Sequence, residues 1–245
     1  MVRFEGSNMT ITYAIDMEEN MNPFAMRWYD AGDELPSHVD SVVVLIPERK
    51  SIFRLPRDIT CVFASDVEYI VPDTWKALAI VGVEKAENTR FTFTPHDRGS
   101  RRDGTARTVY EYVDMYSCLP IRMGLTVHET LGSWSSWPPH EFEAEALRAP
   151  LPLFAEFYEE FAFVTQPAGM WGLQLRRDGR RSNNHDYESM INVVRDLSIT
   201  SVALGSHPVV AGPGTKMAYF WCYSAIEGWE KFPETTTSVQ TYKVP

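Results

Sequence analysis

Apolar and polar residues alternate with a period of two along much of this 245-residue chain, which is the pattern of strands rather than helices. In residues 217–223, Met217, Tyr219, Trp221 and Tyr223 share one face and Ala218, Phe220 and Cys222 the other, predicting a strand buried on both sides. Residues 109–116 place Val109, Glu111, Val113 and Met115 on one face. Further strands are predicted at 41–47, 61–63, 77–83, 90–93, 121–127, 160–164 and 199–204. Turn residues separate them at Pro56-Arg57-Asp58, at 95–99 (Pro-His-Asp-Arg-Gly) and at 211–214 (Ala-Gly-Pro-Gly). Helical spacing is confined to short turns at 144–147 and 152–157. The expectation is an all-β chain of sandwich or barrel type. The polar, basic stretch 95–105 reads as a linker between two β-rich parts, 1–105 and 106–245.

Composition narrows the function. Aromatic residues make up 13% of the chain, a level that suits strands and sugar-facing pockets. A net charge of -10 and a pI near 5.1 argue against a nucleic-acid partner, because neutralising phosphates needs a basic face. Two local basic clusters, Arg98, Arg101, Arg102 and Arg107, then Arg176, Arg177, Arg180 and Arg181, read either as solvated loops or as a means of capturing a carboxylate. Cys61, Cys118 and Cys222 lie far apart with no paired spacing, and each is expected to be a small buried residue. The first residues carry no apolar leader and no run is long enough to cross a bilayer, so the expectation is a cytosolic protein without a membrane partner. The Gly212-Pro213-Gly214 turn lacks the lysine and helix of a phosphate loop.

Candidate chemistry gathers at three places. Gly132-Ser133-Trp134-Ser135-Ser136-Trp137-Pro138-Pro139-His140 delivers a histidine after a rigid double proline, and Gly205-Ser206-His207-Pro208 delivers a second. Between them lies the acidic, aromatic segment 158–163 (Tyr-Glu-Glu-Phe-Ala-Phe). Imidazole and carboxylate donors in that order suit a first-row divalent metal with an open position for substrate.

These residues carry a resemblance. The stretch 132–140 resembles the Gly-Asn-Trp-Ser-Ser-Tyr-Pro-Pro-His-Lys-His-Asp motif of the 5-deoxy-glucuronate isomerases of inositol catabolism. Glu159-Glu160 before an aromatic strand, the run 205–209 (Gly-Ser-His-Pro-Val), the run 211–219 and the run 104–109 resemble further segments of that family in the same order. The resemblance spans about residues 100 to 230. It implies a bicupin, two double-stranded β-helix barrels in one chain, with a divalent metal (Zn, Mn or Fe) held by His140, Glu160 and His207. One departure stands out: the family's His-Lys-His-Asp is His140-Glu141-Phe142-Glu143 here, and a phenyl ring cannot ligate a metal. Two histidines and one carboxylate remain, as many protein ligands as a catalytic metal commonly has.

The implied activity is aldose–ketose isomerisation of a uronic-acid-like sugar through an enediol. Glu143, His185 and Tyr187 stand as equal candidates for the general base. Arg107 or Arg176 would hold the carboxylate, with Trp137, Tyr219 and Trp221 as an aromatic wall. Phe142 supports a second reading, a bicupin that has lost its chemistry and serves in sugar binding, regulation or assembly. An iron-dependent oxygenase is the third. The partners expected are a small sugar acid and further copies of the chain. The first part, whose histidines are His38 and His96, is expected to be a metal-free barrel.

Overall fold

The predicted alternation becomes a stack of antiparallel sheets in a computed structural model of the chain, which describes residues 24–35, 40–67, 70–114, 116–136, 157–177, 189–202 and 207–225. The elements, in order, are β1 (Ala25–Asp30), β2 (Ser41–Ile46), helix α1 (Arg49–Arg54), β3 (Thr60–Phe63) and β4 (Lys76–Val81). There follow β5 (Thr94–Arg98), β6 (Arg107–Val113), β7 (Ile121–His128), β8 (Trp134–Ser135) and β9 (Phe157–Gln166). The last are β10 (Trp171–Arg177), β11 (Ser189–Arg195), β12 (Ile199–Val202), β13 (Val209–Ala211) and β14 (Lys216–Ala225). They pair as β1-β4-β2-β3, as β11-β10-β13-β8 and as a six-stranded sheet β12-β9-β14-β7-β6-β5.

The six-stranded sheet is covered on both faces, and its strands show why. On β14, Ala218, Phe220 and Cys222 join Met123, Leu125 and Val127 of β7 and Ala162 and Val164 of β9 in a core shared with Val42, Val44, Ile46, Leu78 and Ile80 of the first sheet. The alternate residues Met217 and Tyr219 join Phe161, Phe163, Val194, Val202, Val209 and Ala211 in a second core, against the β10 sheet. Each large apolar side chain so buried contributes about 1.5–3 kcal/mol. The two-sided strand expected at 217–223 is therefore present, with each face in its own core. A smaller cluster of Leu35, Val43, Ala64, Val71, Ala77 and Ala79 lies on the far face of the first sheet.

Several expectations are corrected. The stretch 95–105 is not a linker but part of a hairpin, in which Thr94–Arg98 pairs with β6 from Thr94↔Glu111 to Arg98↔Arg107. Pro95 and the polar residues around it masked the strand, and they are tolerated because β5 is the sheet's edge, where one side of the ladder needs no donor. The boundary at 105/106 falls in that hairpin, so the six-stranded sheet draws on both sides of it. The strand expected at 90–93 begins instead at Thr94. In β6 a bulge between Glu111 and Val113 breaks the alternation, so that Tyr112 and Val113 both enter the first core while Glu111 faces the other way. Cys61 and Cys222 are buried as expected, but Cys118 is exposed.

Residues 50–54 gave no helical signal because α1 is too short to show a period; it buries Ser51, Ile52 and Phe53. The turn predicted at 144–147 lies outside the described residues, and of 152–157 only Phe157 is described, as the first residue of β9. Arg49, on α1, ties the first sheet to the rest of the chain. Its Nη2 donates to the Thr165 carbonyl and to Asp196 Oδ1, and its guanidinium lies 5.1 Å from the centre of the Trp75 ring. Among the described residues, no helix is long and apolar enough to cross a membrane.

Candidate active site

The inner face of the six-stranded sheet, opposite the β10 sheet, is an aromatic wall with polar groups at both ends. Its order follows from register. Tyr223 on β14 lies across from Arg122 on β7 and from Glu159 on β9, so these three residues form one row. Trp221 lies across from Gly124 and Phe161, and Tyr219 across from Thr126 and Phe163.

Strand parity decides which glutamate meets His207. Glu159 shares the inner face with Phe161 and Phe163, and its Oε2 lies 3.0 Å from His207 Nε2, both side chains being nearly buried. The His207 ring also packs on Phe161, with centroids 5.0 Å apart. Glu160 points to the opposite face, where its Oε2 accepts a hydrogen bond from the Met26 backbone N–H of β1. The contact His207 makes here is thus with Glu159, where the resemblance implied Glu160. A shift of one residue exchanges the two faces of a strand, and the adjacent glutamates gave the sequence no means of choosing between them.

The row beside Glu159 is charged. Arg122 donates from Nε to Glu111 Oε1 at 3.0 Å and from Nη2 to the same oxygen, and its guanidinium lies 5.8 Å from the Tyr223 ring centre. Burial works against the Arg122 charge, but Tyr223 and Glu111 outweigh it and hold the guanidinium above its ordinary range. Burial pushes the Tyr223 phenol well up, with Glu159 and Glu111 adding to the effect and Arg122 opposing it. The phenol therefore stays protonated. At the sheet edge His96 Nε2 lies 3.5 Å from Glu111 Oε2.

Trp221 stacks on Tyr223 with centroids 5.7 Å apart and rings 19° from parallel. It can lie across β7 because residue 124 is glycine: a Cβ there would sit 2.3 Å from Trp221 Cζ2 and 2.7 Å from the Tyr110 carbonyl oxygen. The far end of the wall holds a buried polar chain. His128 Nε2 is 2.9 Å from Ser135 Oγ, which is 2.8 Å from the Tyr219 hydroxyl. Burial first, then the charge of Arg107, hold the His128 pKa down to about 3; the Ser133 backbone opposes them, and Lys216 adds a lesser effect. His128 Nδ1 makes no hydrogen bond of good geometry among the described residues. This imidazole is neutral at physiological pH.

The residues expected in the site divide three ways. Glu160 lies on the back of the sheet, and Tyr219 and Trp221 are in the wall. Arg107 is opposite His128 and donates to the Thr105 carbonyl at 3.1 Å, and burial lowers its pKa. His128 is six residues along β7 from Arg122, which puts the Arg107 backbone about 20 Å from the Glu159 row, while its charge acts on Tyr219. His140, Phe142, Glu143, Trp137, His185 and Tyr187 lie outside the described residues, as does the side chain of Arg176, whose backbone belongs to β10. Sequence reasoning passed over Glu159, Arg122 and the pair His128 and Ser135.

Carboxylate and imidazole donors 3.0 Å apart on an inward face fit a borderline divalent cation such as Zn, Mn or Fe. Among the described residues no group of three or more His, Cys, Asp or Glu side chains converges, and the third expected donor, His140, is not one of them.

A nearly all-β fold of stacked antiparallel sheets, with an imidazole–carboxylate pair on an inner face, fits the β-barrel cupin class. Residues 46–236 match the KduI/IolB family, and the chain belongs to that family. Membership supports a function of sugar-isomerase type. The fold is similar to that of an IolB-like protein from Salmonella typhimurium LT2, at 16% identity and a TM-score of 0.59 over 86% of each chain. Weaker likenesses include an oxalate oxidase bound to the substrate analogue glycolate (12% identity, TM-score 0.35, 56% of each chain). A cupin-2 domain protein from Rhodospirillum rubrum is another (7% identity, TM-score 0.36, 62% of this chain and 81% of that one). No curated protein is similar enough in sequence to count as a match.

Proposed function

We propose that the protein is a metal-dependent aldose–ketose isomerase acting on a uronic-acid-like sugar. The observation that carries this reading is the buried contact of Glu159 with His207 at the head of an aromatic wall, in a chain of the KduI/IolB family. Glu159 and His207 would hold the cation together with His140, and when bound it would polarise the substrate carbonyl and the neighbouring hydroxyl. Trp221 and Tyr223 offer a flat apolar surface for the sugar's C–H faces and exclude water from it.

Proton transfer is assigned to one of Glu143, His185 and Tyr187. That base takes the C2 proton of the open-chain aldose while the C1 oxygen gains one, giving an enediol. Return of a proton to C1 and loss of the O2 proton give the ketose, and the base ends in its starting state. Tyr223, held protonated by burial, serves as a hydrogen-bond donor beside Glu159 rather than as a base.

The test is incubation of the purified protein with a uronate in deuterium oxide, followed by NMR. Isomerisation with solvent deuterium entering the transferred position, lost in His207→Ala, is the expected result. Absence of isomerisation from metal-supplemented protein across a panel of uronates would overturn the reading.

A further inference from the structure

Arg122 is a cation of the inner wall to which no motif or resemblance drew attention. We propose that Arg122 is the residue that selects an acidic sugar, by pairing its guanidinium with the substrate carboxylate; this rests on the isomerase reading above. Three observations carry it. Register sets Arg122, Tyr223 and Glu159 side by side on neighbouring strands, so Arg122 is two strands, or about 10 Å of backbone, from the Glu159 and His207 contact. The Arg107 backbone is about 20 Å away along the strands, and its guanidinium acts on Tyr219 at the far end of the wall rather than on the row of Glu159 and Tyr223.

Glu111 orients the guanidinium through Nε and Nη2, the Tyr223 hydroxyl accepts a further hydrogen bond from it, and Nη1 takes no part in the Glu111 pairing. The plane extends over the Tyr223 ring, which is itself stacked on Trp221, so the fork ends where a sugar lying on those rings would present its terminal group. Charge also narrows the ligand class. Glu111 in contact with Arg122, and Glu159 two strands away, leave the row little net positive charge, which disfavours a dianion such as a phosphate ester more than it disfavours a carboxylate.

The experiment measures calorimetric binding of L-gulonate, which keeps the uronate carboxylate but has no carbonyl to isomerise. Sorbitol, the same carbon chain with a neutral end, is the comparison. Wild type is expected to prefer the hexonate by about 10- to 100-fold. Arg122→Lys, which keeps the charge and the Glu111 pair but loses the fork, should lose most of that preference. The double variant Glu111→Gln/Arg122→Gln leaves no orphaned charge and should lose all of it; thermal melts confirm that each variant is folded. Equal binding of the two ligands by wild type overturns the proposal, as does a wild-type preference that persists in both variants. Uronate turnover is scored separately: a hexonate preference that depends on Arg122, in a wild type without turnover, would remove the isomerase reading and leave the ligand assignment standing.

Discussion

Acid should weaken this protein through His128. The ring is buried and its pKa is held down to about 3 from 6.5, so it is neutral when folded, whereas in the unfolded chain it takes a proton below about pH 6.5. The unfolded state then binds more protons, and stability is lost as pH falls from 6.5 toward 3 and is unaffected by this group above 6.5. At about 1.4 kcal/mol per unit, the full displacement is worth ~5 kcal/mol, a large share of the 5–15 kcal/mol that holds an ordinary domain together. Between pH 6.5 and pH 5 it amounts to ~2 kcal/mol. The assay is urea unfolding of wild type and His128→Gln at pH 5 to 8. Every other titrating group is common to both proteins, so the stability difference between them isolates His128. That difference should shift by about 2 kcal/mol in favour of the variant as pH falls to 5. A difference constant to within about 0.5 kcal/mol would refute the reasoning, because it would mean that His128 is protonated in the folded protein too.

Gly124→Ala drives a methyl group against the Trp221 ring and the Tyr110 carbonyl oxygen; the ring can move but the backbone cannot, so a loss of about 1–3 kcal/mol is expected in urea unfolding. Arg49 and Asp196 should couple, since together they join α1 to the loop after β11: a double-mutant cycle with Arg49→Met and Asp196→Asn is expected to give about 1 kcal/mol, and additive effects would reduce the contact to surface decoration. Glu160→Ala should cost about 1–3 kcal/mol of stability, because the Met26 N–H it now satisfies would be left buried without its acceptor; an unchanged melting point would contradict that assignment.

Much of the fold was legible in the sequence wherever one pattern ran long enough. The alternation at 217–223 defined β14 and both of its faces, and the runs at 41–47, 77–83 and 121–127 became β2, β4 and β7. Legibility failed where local chemistry contradicted tertiary position. Pro95, His96 and Asp97 look like a turn, yet they form an edge strand, and the arginines at 176 and 177 look like a loop, yet their backbone completes β10. The site failed differently. Both faces of β9 are buried, so Glu159 and Glu160 are equivalent in the sequence, and only the arrival of His207 on the inner side separates them. Arg122 was hidden for a related reason: it interrupts an otherwise apolar strand, and its meaning depends on Tyr223 and Glu159, which are distant in the chain and adjacent only in register.

The central claim is that Glu159, not Glu160, is the carboxylate of a metal-dependent site. The direct test is elemental analysis of wild type, Glu159→Gln and Glu160→Gln, purified without added metal and again after loading with Zn, Mn or Fe. The account predicts about one divalent ion per chain in wild type and in Glu160→Gln, and its loss in Glu159→Gln. Metal retained by Glu159→Gln and lost from Glu160→Gln would contradict the account, as would a wild-type protein that takes up no metal on loading.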